Sequence, residues 1–325
     1  MTKVTIIGGG TGTFVVTKAL TGYEYELSKI VAVFDSGGST ARLRDEFGFL
    51  PVGDMRQSLA ALAHENGNAW IRQLLLYRFD KGAGLEGHNL GNLILTALQD
   101  MTGSTPQALE VAAKIFRLKG KVFPVTLSKS DLQVTYQDGS VEIGEHRLDE
   151  MEHGGRRIKS LSLTKPCLIY SGAKQAILDA NYIILGPGDL YASILPNLVV
   201  KGAKSAIKAS PAKLVYIVNL MTRYTQTHDY TAADHVTEIE RYLGRQLDYI
   251  LVNTGPINPQ ISKVYQKHQE YQVVDDLVAK PGQHIVHGDF ASSVPIQKTP
   301  GDQLPRALMR HDQKKLTTAL LKILQ

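Results

Sequence analysis

Three times in this 325-residue chain a short aliphatic run stops abruptly at a glycine-bearing loop. Val4-Thr5-Ile6-Ile7 gives way to Gly8-Gly9-Gly10-Thr11-Gly12, and Ile30-Val31-Ala32-Val33-Phe34 to Asp35-Ser36-Gly37-Gly38-Ser39-Thr40. Tyr182-Ile183-Ile184-Leu185 gives way to Gly186-Pro187-Gly188-Asp189. An apolar run without alternation marks a strand buried on both faces, which is how parallel sheets are built. In open α/β sheets, ligands sit beyond the carboxyl ends of such strands. Glycine there lets bare backbone N–H groups approach an anion, and a following helix adds its positive end. Three such loops predict a phosphate-bearing ligand held along one rim.

The rest of the chain fits that frame. Helical spacing is expected near Gly12–Leu20, Met55–Ala63, Trp70–Phe79, Asn92–Met101 and Gln107–Phe116, the last after a Thr105-Pro106 start. From Lys121 the pattern changes to short strands with an Asp138-Gly139 turn, so a β-rich insert is expected at about 121–165. Strand-helix alternation then resumes, with strands near Tyr182–Leu185, Leu214–Val218 and Tyr249–Val252, a helix near Asn197–Ala209, an irregular segment after Pro256 and a closing helix near Gln313–Leu324. The expected fold is a single α/β domain over 1–325, with a Rossmann-like, doubly wound, mainly parallel sheet.

Composition removes several function classes. Hydrophobic residues make up 43% and charged residues 21%, which suits a folded core rather than disorder. No apolar run approaches the roughly 18 residues of a membrane span. The start Met1-Thr2-Lys3 leads into a strand without a signal-peptide pattern, and Cys167 is the single cysteine, so a cytoplasmic location is expected. The net charge of +5 is scattered rather than gathered into a stripe, which argues against nucleic acid as a partner.

The loops carry the candidate chemistry. Gly9, Gly10, Thr11 and Gly12 approach a dinucleotide fingerprint, but Thr13 stands where its third glycine belongs. Asp35 lies where a ribose-binding acid would sit, yet Ser36, Gly37, Gly38 and Ser39 follow as a second anion-type loop. Arg42 and Arg44 supply guanidinium forks suited to phosphate, against the alternative of a capped, solvated helix start. Asp54, in Leu50-Pro51-Val52-Gly53-Asp54-Met55-Arg56, is either a helix cap or a carboxylate facing ligand or magnesium. Asn89 and Asn92 in Gly87-His88-Asn89-Leu90-Gly91-Asn92 offer amides for hydroxyls or a base edge, with His88 as a general acid/base or a structural histidine. Gly186, Gly188 and Asp189 repeat the choice between ligand contact and capping. No zinc-type spacing, nucleophile elbow or Walker-A run is present.

In order along the chain these loops, together with Asn219-Leu220-Met221-Thr222 and Arg310-His311-Asp312, resemble the 2-phospho-L-lactate transferase family, and within it the YvcK-like gluconeogenesis factors. The resemblance spans essentially the whole chain. Ala41, Asn89-Leu90 and the run Phe123-Pro124-Val125-Thr126 depart from the usual family residues. The transferase branch implies Mg²⁺-dependent transfer of a phospholactyl-type group from a nucleotide diphosphate donor. That reading makes Asp35, Asp54 and Asp189 the catalytic candidates, with Asp54 and Asp189 as metal ligands. The YvcK-like branch implies binding of UDP-N-acetylglucosamine and control of cell-wall precursor supply and cell shape, with no turnover credited to it; no cofactor is certain, and Mg²⁺ is expected only for a transferase. By that resemblance Asn219 lines the site, and Tyr265 and Arg306 contact the nucleotide sugar. Expected partners are therefore the nucleotide sugar and a regulated protein, with room for a homo-oligomer. A nicotinamide enzyme remains as an alternative, opposed by the imperfect fingerprint.

Overall fold

The computed structural model describes residues 1–35, 49–63, 65–293 and 309–325, without the side chains of residues 65–69 and 151. Ser36, Gly37, Gly38, Ser39, Arg42, Arg44 and Arg306 lie outside the described residues.

Seven strands form one wholly parallel sheet. They are β1 (Thr2–Ile7), β2 (Tyr25–Val31), β3 (Lys121–Pro124), β7 (Tyr182–Leu185), β8 (Lys213–Ile217), β9 (Tyr249–Asn253) and β10 (His284–Gly288), in the order β10-β9-β8-β7-β1-β2-β3. The apolar runs lie at its centre because both faces are covered: Val4, Ile6, Ile183, Ile184, Val215, Tyr216 and Ile250 are all buried. Each such side chain contributes roughly 1.5–3 kcal/mol of transfer free energy. Thr5 alternates with the aliphatics of β1 and is satisfied in the interior by donating to the Ala176 carbonyl (2.8 Å).

Helices cover the sheet. α1 (Gly10–Leu20) links β1 to β2, and α2 (Gly53–Leu62), α3 (Glu65–Leu76), α4 (Leu90–Thr102) and α5 (Thr105–Ile115) lead to β3. α6 (Ser171–Leu178) precedes β7, and α7 (Leu195–Leu198) and α8 (Ala203–Ala209) precede β8. α9 (Ala232–Leu243) and α10 (Pro259–Gln266) precede β9 and β10, and α11 (Gln313–Ile323) packs on α1. A capping box at Thr231 and Asp234 starts α9, and Gly244 at φ 63° ends it.

The small second sheet is β4 (Leu132–Tyr136), β5 (Val141–Ile143) and β6 (Ile158–Leu163), antiparallel and ordered β5-β4-β6. It occupies the expected β-rich insert, but the first strand of that stretch does not belong to it. β3 pairs with β2 as the edge of the large sheet, with Phe123 opposite Ile30. Three further expectations shift. β2 begins at Tyr25 and loses its ladder after Val31, not at Phe34. The helix expected from Asn197 to Ala209 is two short pieces, parted before Gly202 at φ 101°. The region after Pro256, read as irregular, contains α10 and β10.

Chain direction across the sheet reverses between β1 and β7. Strands β2 and β3 are added on one side of β1, and β7 to β10 on the other. A crevice opens at such a switch point because the two following connections depart to opposite faces. Two of the three glycine loops border it.

Candidate functional site

One wall of the crevice is the loop from Gly8 to Gly12. Its backbone is fixed by hydrogen bonds from Gly8 N–H to the Ile30 carbonyl (3.0 Å) and from Gly9 N–H to the Ser193 carbonyl (3.3 Å). Thr13 Oγ1 lies within 3.1 and 2.8 Å of the Gly8 and Gly9 carbonyls and donates back to them. α1 then starts at Gly10, whose N-cap, Gly9, has no side chain to close the helix end. The positive end of α1 is thereby directed at the crevice.

Asp54 answers that end. It is not the N-cap of α2, a place taken by Val52, but a first-turn residue that reaches across to α1. Its Oδ1 accepts the Gly10 N–H at 2.9 Å. A Cβ on Gly9 would lie 1.6 Å from Asp54 Oδ2, so the carboxylate can rest on this loop only because glycine is there. The opposite wall is also within contact: a Cβ on Gly12 would lie 2.2 Å from the Pro187 carbonyl oxygen.

That wall is the loop after β7. Gly186 adopts φ 71°, which L side chains avoid, and the Gly186–Pro187 peptide is cis. Gly188 N–H donates to Asn219 Oδ1 (3.3 Å), so Asn219, just beyond β8, supports the loop from below. Asp189 is the N-cap of a π-helical turn, Leu190–Ile194, yet its side chain makes no capping bond. Burial pushes its carboxyl above the usual range; nearby Arg223 opposes this, and Asp149 and Asp54 add to it.

The insert closes the ring with a 3-10 turn, Glu145–Asp149, that the sequence reading did not single out. Burial raises the Glu145 carboxyl well above its ordinary pKa, and Asp35, Asp149, Asp54 and Asp189 raise it further. Four of the carboxylates around this crevice therefore act on a fifth. Arg223 is a cation among them. It donates to Asp149 Oδ1 (3.2 Å), lies 3.6 Å from Glu270 Oε1, and has its pKa raised chiefly by Asp189.

A second cation is hidden beneath the site. Lys29 sits in β2 between Ile6 and Val122, is 1% exposed, and its Nζ has no hydrogen-bond partner. Burial pushes it down to about 7, partly offset by Asp54. The signal for Lys29 was a charge inside the run Leu27-Ser28-Lys29-Ile30-Val31, and Arg223 follows the Asn219–Thr222 motif by one residue.

The amide loop starts α4. Asn89 is the N-cap of α4 and accepts the Asn92 N–H at 3.2 Å, while Asn92 Oδ1 is buried without a partner. A Cβ on Gly91 would lie 2.5 Å from the Leu75 carbonyl, so this glycine permits α4 to cross α3. His88 is half-buried beside the cap. Tyr265 is buried in a satellite cluster with Leu220, Ile261 and Met309, and its hydroxyl accepts the Met309 N–H at 3.0 Å. Away from the crevice, Glu150, Glu152 and His153 place ligand-type atoms within 4.8 Å of one another. Arg147 already binds Glu150 (2.7 Å) and Arg156 faces His153 Nδ1 (3.2 Å), so these donors are engaged.

With this geometry in hand, the comparisons with known proteins are decisive. The profile of the family described as 2-phospho-L-lactate transferase CofD matches residues 4–291. The chain belongs to the CofD family. A gluconeogenesis factor from Halalkalibacterium halodurans is 38% identical, over 84% of this chain and 84% of that protein. One from Bacillus subtilis is 35% identical, over 99% and 98%. The crystal structure of protein BH3568 from Bacillus halodurans superposes with a TM-score of 0.86 at 34% identity, covering 98% of this chain and 99% of that one. The CofD-family assignment thus extends from the glycine loops to the whole architecture. No helix among the described residues is long and apolar enough to cross a membrane.

Proposed function

We propose that the crevice between β1 and β7 binds a nucleotide-sugar diphosphate of the UDP-N-acetylglucosamine type. In this reading the chain is a cytoplasmic regulator of the CofD family, whose occupancy changes which protein it engages, with effects on cell-wall precursor supply and cell shape. The observation that carries the reading is the meeting of two glycine loops at the switch point, Gly12 against Pro187 and Gly188 on Asn219. Backbone donors and the N-terminus of α1 suit a diphosphate. A change of partner needs a ligand that binds the two states with different affinity, and the insert borders the crevice through Glu145 and Asp149.

Charge sets a condition on this binding. Among the described residues, Asp35, Asp54, Asp149, Asp189 and Glu145 surround the crevice against Arg223 and the buried Lys29. A cation entering with the diphosphate offsets the charge of those carboxylates that are ionised. Mg²⁺ typically binds one or two carboxylates together with phosphate oxygens, and Asp54 and Asp189 fit that donor set. Bound there, the ion would neutralise the phosphates and polarise their bridging oxygen.

The same carboxylates favour a second reading. Asp35, Asp54 and Asp189 in one crevice are what a Mg²⁺-dependent 2-phospho-L-lactate transferase-like enzyme would use to stabilise a nucleotide diphosphate leaving group. Incubation with UDP-N-acetylglucosamine and Mg²⁺, followed by gel filtration and chromatography of the bound fraction, separates the two. Recovery of intact ligand with the protein is the result expected of a regulator. Metal-dependent consumption of a nucleotide diphosphate donor would put the transferase first.

A further inference from the structure

Strand β6 of the insert meets α7, α8 and α9 around a cleft of about 450 Å³ that shares no residue with the crevice. Its floor is apolar: Leu161 and Leu198 are each 4% exposed, and Cys167 1%. Its mouth is cationic. Lys201, Lys204 and Arg241 line it, and no Asp or Glu does among the described residues.

The polar groups of the mouth are fixed in place, and part of their capacity is unspent. Lys201 lies between α7 and α8, where its N–H donates to the Cys167 carbonyl and its carbonyl accepts the Ile169 N–H, both at 2.9 Å. Lys201 is exposed and makes no ion pair among the described residues. Lys204 Nζ donates to the Arg241 carbonyl (3.2 Å) in the last turn of α9, and no carboxylate among the described residues pairs with it. Arg241 differs, since its Nε donates to Glu238 Oε2 (2.8 Å). The Tyr242 hydroxyl accepts the Leu161 N–H (2.7 Å) and Arg241 Nη2 (3.2 Å), while its own proton goes to no acceptor among the described residues.

We propose that this cleft is a second ligand site, for a small organic anion that carries an apolar body. A phosphate or carboxylate head lies at the mouth, where Lys201, Lys204 and the Tyr242 O–H supply charge and donors. The body rests on Leu161 and Leu198 and removes their remaining surface from water. A cleft of this volume takes a small molecule, and walls of one sign draw an anion toward it. A nucleic acid would need a longer cationic track than these three residues provide. The proposal does not depend on the ligand read for the crevice.

Calorimetric titration of the full chain with 1-naphthyl phosphate, 1-naphthoate and inorganic phosphate tests this. One naphthyl anion per chain is expected to bind, with a Kd of about 1 mM or tighter. Inorganic phosphate is expected to bind at least about 10-fold more weakly, because it leaves the floor in water. The tighter of the two naphthyl anions names the head group. Lys201→Glu is expected to weaken binding about 10-fold. Ser162→Trp, at an exposed position of the same lining, is expected to abolish it by filling the cleft. Lys208→Glu makes the same charge change on α8 outside the cleft, and as the control it stays within about 2-fold of wild type. Failure of the wild-type chain to bind either naphthyl anion would overturn the proposal. So would equal affinity for inorganic phosphate, binding that survives both Lys201→Glu and Ser162→Trp, or a loss in Lys208→Glu as large as in Lys201→Glu.

Discussion

Gly12→Ala adds a single methyl group where two backbones already touch. Its Cβ would lie 2.2 Å from the Pro187 carbonyl oxygen, 2.6 Å from the Pro187 carbonyl carbon and 3.1 Å from the Gly188 nitrogen. None of these atoms belongs to a side chain that could turn away. Relief requires α1 and the β7 loop to separate by about 1 Å, and overpacking of this kind costs roughly 1–3 kcal/mol. Alanine returns up to about 1 kcal/mol of helix propensity, less in a first turn, so the net loss of stability is about 1–2 kcal/mol. Ligand affinity falls further, by about 30-fold or more, because the displaced walls are those of the crevice and positioning within about 0.5 Å decides such contacts. Gly188→Ala is the comparator. Its Cβ would meet nothing closer than 3.6 Å, so stability stays within about 0.5 kcal/mol of wild type. Urea unfolding and ligand titration of both variants measure the two quantities. A Gly12→Ala protein with wild-type midpoint and affinity would refute the account of how the crevice is built.

Glu145→Gln is expected to stabilise the protein at pH 7. The folded pKa of Glu145 is raised by burial and by Asp35, Asp149, Asp54 and Asp189, so its ionisation opposes folding as pH rises through that value. The gain disappears below about pH 4, where the unfolded chain also binds the proton, and urea midpoints across pH read both limits. Lys29→Met removes a buried charge pushed down to about 7. Between about pH 7 and 10 the unfolded wild type binds more protons than the folded form, so wild-type stability rises with pH over that window and the variant's slope is flat. His311, buried and pushed down to about 4, acts the same way at lower pH. Wild-type stability falls from about pH 6.5 toward 4, and His311→Gln shows less of that fall in thermal melts. Asp54→Asn is expected to abolish Mg²⁺-dependent ligand binding in equilibrium dialysis while leaving the fold intact by circular dichroism.

What the sequence disclosed follows from how local each signal is. β1 and β7 with their loops were legible because the apolar run, the glycine and the following helix start are contiguous in the chain. Asp54 was legible as a residue but not in its role, since the Gly10 N–H it accepts lies 44 residues away. Glu145 and Asp149 come from the insert, where composition says only that strands are present, and nothing local shows that its 3-10 turn faces the crevice. β10 escaped because it is an edge strand with exposed or half-buried side chains, His284-Ile285-Val286-His287-Gly288, so no buried run marks it. β3 was seen as a strand but given to the wrong sheet, because partner choice is a long-range property. Asn89 and Gly91 have local roles that their pattern did not show, a helix cap and a helix crossing.

The central claim is a diphosphate-bearing ligand between the β1 and β7 loops, brought in with a cation. Calorimetric titration of the protein with UDP-N-acetylglucosamine, with and without Mg²⁺ and with GDP and NADH as controls, tests it most directly. The account predicts saturable binding of one ligand per chain, strongly favoured by Mg²⁺ and selective over both controls. Absence of binding, or binding of GDP with Mg²⁺ in place of the UDP-sugar, would contradict it.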